Sequence, residues 1–307
     1  MRTYINDSDF AYLNSEMSGL LAYYETRNSE LFKSDSSSKM AFRILCERLT
    51  TDTTNPEQSR RLLHEVLDCI PNRTPCNHIC CPVCRTKRQQ AAVKRTKLLF
   101  QNATNENSFF LTALMPMTPY LSEANSSIIR LRKSLRHNLR TYQKENANHS
   151  FNVYGAFEYD LKTRSEYRVS SDRAKQLFQE LGYDANTSEP MWLPHLHAII
   201  SPLDDSQRKL IKDIVQYSIF PDKHIKYSIE LKSFRSDKDV SENLSELSKY
   251  MWKVRLQHSD NIFATKEGTS KAKYKSMFPS EAVTSLSSYV KSKGSFKSLK
   301  FEVKGNQ

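Results

Sequence analysis

Apolar runs of strand length recur through the middle of the chain, separated by polar stretches and by segments with helical periodicity. Short runs rich in Phe, Val, Ile and Tyr, bounded by polar or proline-containing turns, predict β-strands. We place four strands, at 109–115, 152–159, 192–200 and 225–234. Apolar residues three and four positions apart predict helices at 126–143, 205–217 and 241–256, the last with Ser241 as its candidate cap. The polar residues 160–190, with a candidate helix at 171–181, form an insertion between two strands.

The segments on either side of this mixed region have a different pattern. The N-terminal part shows helical spacing, with candidate helices at 9–24, 38–49 and 55–67. After residue 258 the chain is rich in Lys and Ser, which predicts a partly disordered tail with a short helix near 280–291. We therefore expect four parts: a helical N-terminal region (1–68), a zinc module with a basic helix (69–104), a central domain (105–258) and a basic tail (259–307).

Charge adds a partner class to this picture. The 307 residues include 46 Lys and Arg against 34 Asp and Glu, a net charge of +12. Such an excess favours a polyanionic partner, nucleic acid before a membrane surface. No apolar run reaches the roughly 20 residues of a membrane span, and the N-terminus lacks a signal-peptide pattern. We expect a cytoplasmic protein without a membrane partner.

Of the six cysteines, four lie in one short segment between residues 76 and 84. Without an export signal, metal binding is favoured over disulfides. A structural zinc site needs four tetrahedral sulfur or nitrogen ligands. Cys81-x2-Cys84 has knuckle spacing and Cys76 lies five residues earlier, so these three are the first ligands. Cys69 is the candidate fourth, with three rivals: His64, His78 and Cys80.

Two helices carry rows of basic side chains. Each row is either an ordinary solvated face or a track for the phosphates of DNA or RNA, and the position of the first beside the cysteines favours phosphate contact. The candidate DNA-binding residues are Arg85, Lys87, Arg88, Lys94 and Arg95 on the first helix and Arg132, Arg136 and Arg140 on the second.

The predicted strand at 192–200 contains two histidines at positions i and i+2. Because alternate side chains of a strand point to the same face, His195 and His197 lie together while Leu196 faces the other way. Neutral imidazole is the commonest metal ligand, but two hydrogen-bonded core histidines fit the pair equally well. Glu158, on the preceding strand, is a carboxylate among apolar residues, and burying it demands a partner or a metal.

The helix at 241–256 carries a second constellation. Glu246, Tyr250 and Lys253 are spaced at i, i+4 and i+7, on a face separate from the apolar one. A phenol is mostly protonated near neutral pH, so it attacks well only beside a cation or a metal-bound substrate. Lys253 could supply charge and Glu246 could accept a proton. Without other context, an exposed tyrosine beside an ordinary Glu–Lys pair is the simpler interpretation.

In their order along the chain these motifs resemble those of the HUH endonucleases, most closely the rolling-circle replication initiator (Rep) proteins of small bacterial plasmids. The resemblance covers about 69–256. It is carried by Cys76-x4-Cys81-Pro-x-Cys84, Phe110-Leu-Thr112, Pro194-His195-Leu-His197 and Glu246-Leu-Ser-Lys249-Tyr250-x-x-Lys253. It implies a palm of ferredoxin-like type: an α+β domain with a central antiparallel sheet and helices on one face.

The resemblance also implies roles. His195, His197 and Glu158 would bind Mg²⁺ or Mn²⁺, and zinc would be structural. Tyr250 would attack the scissile phosphodiester, leaving a 5′-phosphotyrosine and a free 3′-hydroxyl. Lys253 would stabilise charge or position DNA, and Glu246 would activate water for the terminating cleavage. The implied partners are single-stranded or hairpin origin DNA, a host helicase and a polymerase.

Two alternatives stay open at this point. A transposase or relaxase of the same superfamily would use the same chemistry, whereas a non-catalytic zinc-dependent DNA-binding regulator would not need Tyr250. In either nucleic-acid function, Trp192 or Trp252 could stack on unpaired bases.

Overall fold

A computed structural model describes residues 45–46, 49–50, 52–72, 75–146, 148–253, 257–264 and 271–305. The candidate helix at 9–24 and most of that at 38–49 lie outside this part of the chain. Two compact units are present. One comprises the described residues up to Cys84 together with Pro279–Tyr289, and the other comprises Arg85–Phe278 with the residues from Val290 onwards.

The elements follow the predicted order closely in the central region. The helices are α1 (Pro56–Asn72), α2 (Pro82–Leu99), α3 (Leu121–Glu145), α4 (Arg164–Val169), α5 (Asp172–Glu180), α6 (Asp205–Ile219), α7 (Val240–Met251), α8 (Ser280–Ser292) and α9 (Phe296–Leu299). The strands are β1 (Phe109–Leu114), β2 (Asn152–Lys162), β3 (Met191–Ser201), β4 (Ile229–Ser233), β5 (Gln257–Ala264), β6 (Lys271–Met277) and β7 (Lys300–Val303). Strand β4 is shorter than the predicted 225–234.

Five strands form one sheet in the order β4-β1-β3-β2-β7, and each pairs antiparallel with its neighbours. The predicted α+β class and antiparallel sheet are confirmed. Strand β3, which carries the two histidines, is the central strand. Its register places His195 opposite Glu158 on one side, and His197 opposite Thr112 on the other. Directly opposed residues share a sheet face, so these four side chains meet on the same face.

Helices cover both faces of this sheet, so the expectation of helices on one face is wrong. All eleven residues of β3 are buried, and a strand buried on both sides needs cover on both sides. On the face opposite the histidines, the guanidinium of Arg132 in α3 lies 5.0 Å from the Phe157 ring centroid. On the histidine face, α7 places the Tyr250 ring beside His197.

Helix α3 buries the apolar residues whose spacing predicted it. Its predicted stripe, with the three- and four-residue spacing of one helix face, is buried almost completely against the sheet: Ile128, Leu131, Leu135 and Leu139. Burying side chains of this kind contributes about 1.5–3 kcal/mol each relative to exposure.

The cap of α7 differs from the predicted one. Asp239, rather than Ser241, accepts a hydrogen bond from the backbone N–H of Glu242. The helix also ends earlier than predicted, at Met251, because Trp252 turns into the interior and packs against Phe296, 5.9 Å between ring centroids. The insertion after β2 contains α4 and α5, and the candidate helix at 171–181 is confirmed with Ser171 as its cap.

The C-terminal residues are more ordered than their composition predicted. The expected short helix is confirmed as α8, but β5 and β6 pair antiparallel with each other and β7 pairs with β2 at the sheet edge. Phe296, Phe301 and Val303 are almost fully buried. Within 271–305 the predicted partly disordered tail therefore contains more regular structure than expected, because a few apolar residues at strand spacing suffice to anchor an edge strand.

Candidate metal centres

Glu158, His195 and His197 form a buried cluster on the central strands. The Glu158 Oε2 atom lies 3.2 Å from His195 Nε2 and 3.7 Å from His197 Nε2. Ligand atoms about 2.1 Å from a divalent ion are about 3.0 Å apart at an octahedral angle and about 3.5 Å apart at a tetrahedral one. The three atoms, all within 4.8 Å of one another, can therefore hold a divalent metal with only small shifts.

The second nitrogen of each ring has its own partner. His195 Nδ1 lies 3.2 Å from the carbonyl oxygen of Leu193, which can only accept, so Nδ1 carries the proton. His197 Nδ1 lies 3.1 Å from the hydroxyl of Thr112. Metal-binding histidines usually donate their other N–H in this way, which fixes the ring and leaves Nε2 for the metal. Both Nε2 atoms point to Glu158, as a shared ion requires.

An aromatic group surrounds His197 on the side away from His195. The Phe110 ring stacks on it at 5.5 Å, and the Tyr250 ring meets it edge-on at 5.1 Å between centroids. Tyr250 also contacts Phe110, edge to face, at 5.8 Å. Because Tyr250 is 38% exposed while His197 is buried, the phenol lies at the rim of the cluster, open to solvent.

Further charges lie along β2 next to the cluster. Burial opposes a charge on His195, but the hydrogen bond and charge of Glu158 and the charge of Asp160 outweigh it and raise the pKa of His195. Asp160 is itself held by Lys162 at 2.8 Å, and Lys162 also pairs with Glu166 at 2.9 Å. These two carboxylates raise the pKa of Lys162 despite its burial. The Lys162 ammonium thus stays charged and balances the carboxylates of Asp160 and Glu166.

Glu246, Tyr250 and Lys253 were expected to lie on one face of α7, but only Glu246 and Tyr250 lie within the helix. Lys253 lies beyond the end of the helix and is exposed, so the expected helical spacing does not extend to it. Glu246 is one turn before Tyr250, and its carboxylate forms an ion pair with Lys238. Tyr250 itself lies in the last turn, where its ring reaches His197.

The four cysteines expected to bind zinc converge as predicted. The Sγ atoms of Cys69 and Cys84 are 3.7 Å apart, and those of Cys76 and Cys84 are 3.8 Å apart. Four sulfurs around a zinc ion at about 2.3 Å are about 3.8 Å apart, so the spacing fits a tetrahedral site. Hydrogen bonds from Cys76, Cys81 and the Asn77 backbone lower the pKa of Cys84, which favours the thiolate that a metal binds.

The structure also decides among the candidates for the fourth ligand in favour of Cys69. His78 Nε2 bonds to Glu65 and its Nδ1 lies 2.9 Å from the Ser287 hydroxyl, so neither ring nitrogen faces the sulfurs. His64 pairs with Asp68 at the surface. Cys80 lies near Ser287 and is not part of the four-sulfur cluster.

The candidate DNA-binding residues of α2 fall into two groups. Lys87 and Lys94 are exposed, and Arg85 is half-buried. Arg88 lies over the Phe296 ring at 5.5 Å, and Arg95 forms an ion pair with Glu302. The second group stabilises the packing of α2 against the C-terminal segment.

The basic row of α3 is divided in a similar way. Arg132 donates to the carbonyl of Ser298 and covers the Phe157 ring, while Arg136 lies 5.8 Å from the Phe301 ring centroid. Burial, with the nearby charge of Arg136, lowers the pKa of Arg132. Only Arg140 of the three is exposed. The row is therefore not a continuous surface track.

Neither tryptophan is available for stacking on a base. Trp192 is 6% exposed and packs edge to face with Tyr159, and Trp252 is 4% exposed. The expected use of these rings is wrong, because both fill the interior.

Sequence reasoning assigned no role to three groups of the site: the Thr112 hydroxyl, the Leu193 carbonyl and the Phe110 ring. Thr112 and Phe110 belong to the Phe110-Leu-Thr112 motif. Their spacing of two residues on a predicted strand puts both side chains on one face, and this was the signal available in the sequence. A backbone carbonyl leaves no signal in the sequence, since every residue has one.

Comparisons with known proteins assign no family to this chain: no protein-family model matches it, and no significant match was found among curated proteins or solved structures. Within the described residues, no helix is long and apolar enough to cross a membrane.

Proposed function

We propose that this protein is an HUH-type endonuclease that nicks single-stranded origin DNA to initiate rolling-circle replication. The observation that carries the proposal is the exposed Tyr250 phenol set edge-on against His197, at the rim of the buried Glu158–His195–His197 cluster. A nucleophile beside a divalent-metal site is the arrangement that metal-assisted phosphodiester cleavage needs. An isolated structural histidine pair needs no exposed phenol.

The metal residues would hold Mg²⁺ or Mn²⁺, since a mixed imidazole and carboxylate set with open positions suits these ions. When bound, the ion would polarise the phosphate oxygens and offset the charge that develops on them. The Leu193 carbonyl keeps His195 in the tautomer that presents Nε2, and the Thr112 hydroxyl would do the same for His197 by accepting from its Nδ1. Phe110 excludes water from one side of His197.

Tyr250 would act as the nucleophile. Its Oη forms a bond to phosphorus as the bond from phosphorus to the 3′ oxygen breaks. The phenolic proton leaves to solvent, and the departing 3′ oxygen takes up a proton to become the free hydroxyl that primes synthesis. The phosphate remains joined to Tyr250 and to the 5′ oxygen of the downstream segment, which is the 5′-phosphotyrosine link. The exposure of Tyr250 allows an unpaired strand to reach it.

Two further residues would assist from the same region. Lys253, exposed just beyond the helix end, would contact the DNA backbone. Glu246, held by Lys238, would activate the water of the terminating cleavage. The four cysteines would bind a structural zinc in their own unit.

The test is a covalent adduct. Purified protein is incubated with single-stranded oligonucleotides from its own replicon and Mn²⁺, and the products are run on a denaturing gel. We expect a tyrosine–DNA adduct that is absent in Tyr250→Phe and strongly reduced in His197→Ala. The matched control is Tyr217→Phe, at a tyrosine 64% exposed on α6, which should form adduct normally.

Two results would overturn parts of this proposal. An equal amount of adduct in Tyr250→Phe would show that another residue is the nucleophile. If wild type and Tyr250→Phe bind the oligonucleotide equally and neither forms adduct or cleaves it, the protein is instead a non-catalytic zinc-dependent DNA-binding regulator. Whether an active enzyme serves replication, transposition or conjugation follows from which DNA ends it cleaves.

A further inference from the structure

Tyr227 occupies an unusual position in the turn before β4. Its backbone has φ +68°, in the left-handed region that disfavours side chains other than Gly, Asn and Asp. The N–H of Ser228 bonds back to the carbonyl of Ile225, which closes the turn around it. The ring is 44% exposed, so only part of its aromatic surface is buried at this strained position. Strain of this kind is typical of functional positions.

Two cations lie against this ring. The guanidinium carbon of Arg173, in α5, is 3.6 Å from the ring centroid, and the Lys226 ammonium is 4.9 Å away. Both side chains are exposed, and Lys226 also hydrogen-bonds to the Tyr227 side chain. Among the described residues no ion pair joins either cation to a carboxylate. Two cations without acidic partners around an aromatic ring form a site suited to an anion that also has a flat apolar part.

The position relative to the metal cluster follows from the sheet register. The Ser228 carbonyl accepts a bond from the N–H of Leu114 at 2.8 Å, and Leu114 is paired with His195. Adjacent strands are about 4.8 Å apart, so the backbone beside Tyr227 is about 10 Å from that of His195. This is about three nucleotides at the spacing of a duplex strand. A single strand of a few nucleotides is therefore long enough to span this separation.

We infer that Tyr227, Arg173 and Lys226 form a binding site for an unpaired nucleotide of the DNA strand, with the base on the aromatic and guanidinium planes and the phosphate between the two cations. Stacking on aromatic rings and guanidinium planes is the usual way proteins hold unpaired bases. The inference rests on the proposed function for the identity of the strand. It also gives the insertion that carries Arg173 a role, and it replaces the buried tryptophans as the stacking platform.

The test measures binding without chemistry. Fluorescence anisotropy of a labelled single-stranded oligonucleotide is followed with Tyr250→Phe protein, in which the nucleophile is removed and zinc is kept. We expect Tyr227→Asn to weaken binding about 5- to 150-fold, the range for losing one stacked base. Tyr227→Phe should restore most of the affinity because it keeps the ring.

Charge is tested separately through salt. Arg173→Gln and Lys226→Gln should each reduce the slope of log affinity against log salt by about 0.7. The matched controls are Tyr217→Asn and Lys212→Gln on α6, both exposed, which should change neither affinity nor slope. Thermal melting checks folding, and Tyr227→Asn should melt no lower than wild type because Asn tolerates the left-handed backbone.

The outcomes separate the two claims. If the Tyr227 and Arg173 variants bind DNA as tightly as the Tyr217 and Lys212 controls, the nucleotide site is wrong even where the Tyr250 adduct forms. If they bind weakly but no variant or wild type ever forms an adduct, the site stands and the nicking function fails.

Discussion

Thr112→Val tests whether the ring of His197 is oriented by its neighbour. The hydroxyl of Thr112 is 3.1 Å from His197 Nδ1, and Val has the same shape but no oxygen. The substitution places a methyl group against the Nδ1 of a buried ring, the nitrogen that carries the proton when Nε2 binds a metal. The ring then loses the bond that keeps Nε2 directed at Glu158.

The expected size follows from the same geometry. Removing the hydrogen-bond partner of a metal-binding histidine lowers metal affinity about 10- to 100-fold, which corresponds to about 1.4–2.7 kcal/mol. A buried donor without an acceptor also destabilises the fold by about 1–3 kcal/mol. Both effects arise from one lost bond, so they should appear together.

Calorimetric titration of Mn²⁺ into the DNA-free protein measures the affinity, and thermal melting measures the stability. Thr112→Ser is the matched control, because it keeps the hydroxyl and should bind Mn²⁺ nearly as well as wild type. Equal Mn²⁺ affinity in the Val, Ser and wild-type proteins would refute the assignment of Thr112 as the group that orients His197.

Three further predictions concern the sheet, the zinc unit and pH. Gly155→Ala should destabilise the protein by about 1–3 kcal/mol in denaturant unfolding, because the new Cβ would overlap the carbonyl oxygen of His197 and lie 2.6 Å from the Ala198 Cβ. Cys69→Ser should lower the zinc content from about one ion per chain, measured by elemental analysis, whereas Cys80→Ser should leave it unchanged. The folded-state pKa of His195 is raised above 6.5, so protons compete with Mn²⁺ for its Nε2, and the Mn²⁺ affinity should fall as the pH is lowered through the raised pKa. In the metal-free protein the charged His195 stabilises the fold fully below pH 6.5, and this contribution should be lost as the pH rises through the raised pKa.

Local pattern alone determined much of the framework. The short apolar runs of β1, β2 and β3 identified buried strands, and the apolar stripe of α3 reported which side of that helix is buried. Both signals are carried by neighbouring residues, as is the alternation of side chains along a strand. The same alternation put His195 and His197 on one face. The short spacing of Cys76, Cys81 and Cys84 identified most of the cysteine cluster, because ligands so close in sequence can hardly avoid one another in space.

Tertiary structure decided the features that depend on distant residues. The choice of Cys69 over His78 depended on Glu65 and Ser287, which draw that imidazole away from the sulfurs. Arg132 and Arg136 are spaced in the sequence as if they formed a basic surface row. In the structure their guanidinium groups lie over the rings of Phe157 in β2 and Phe301 in β7.

The helix carrying Tyr250 and the C-terminal residues show the same limit. Lys253 does not lie on the expected helix face, because the helix ends at Met251 and Trp252 is buried against Phe296, 44 positions later in the chain. Strand β7 is part of the sheet, although it lies in a segment rich in Lys and Ser that predicted a partly disordered tail. Periodicity describes one element at a time, whereas helix ends, edge strands and shared ion pairs are fixed by the partners that folding brings together.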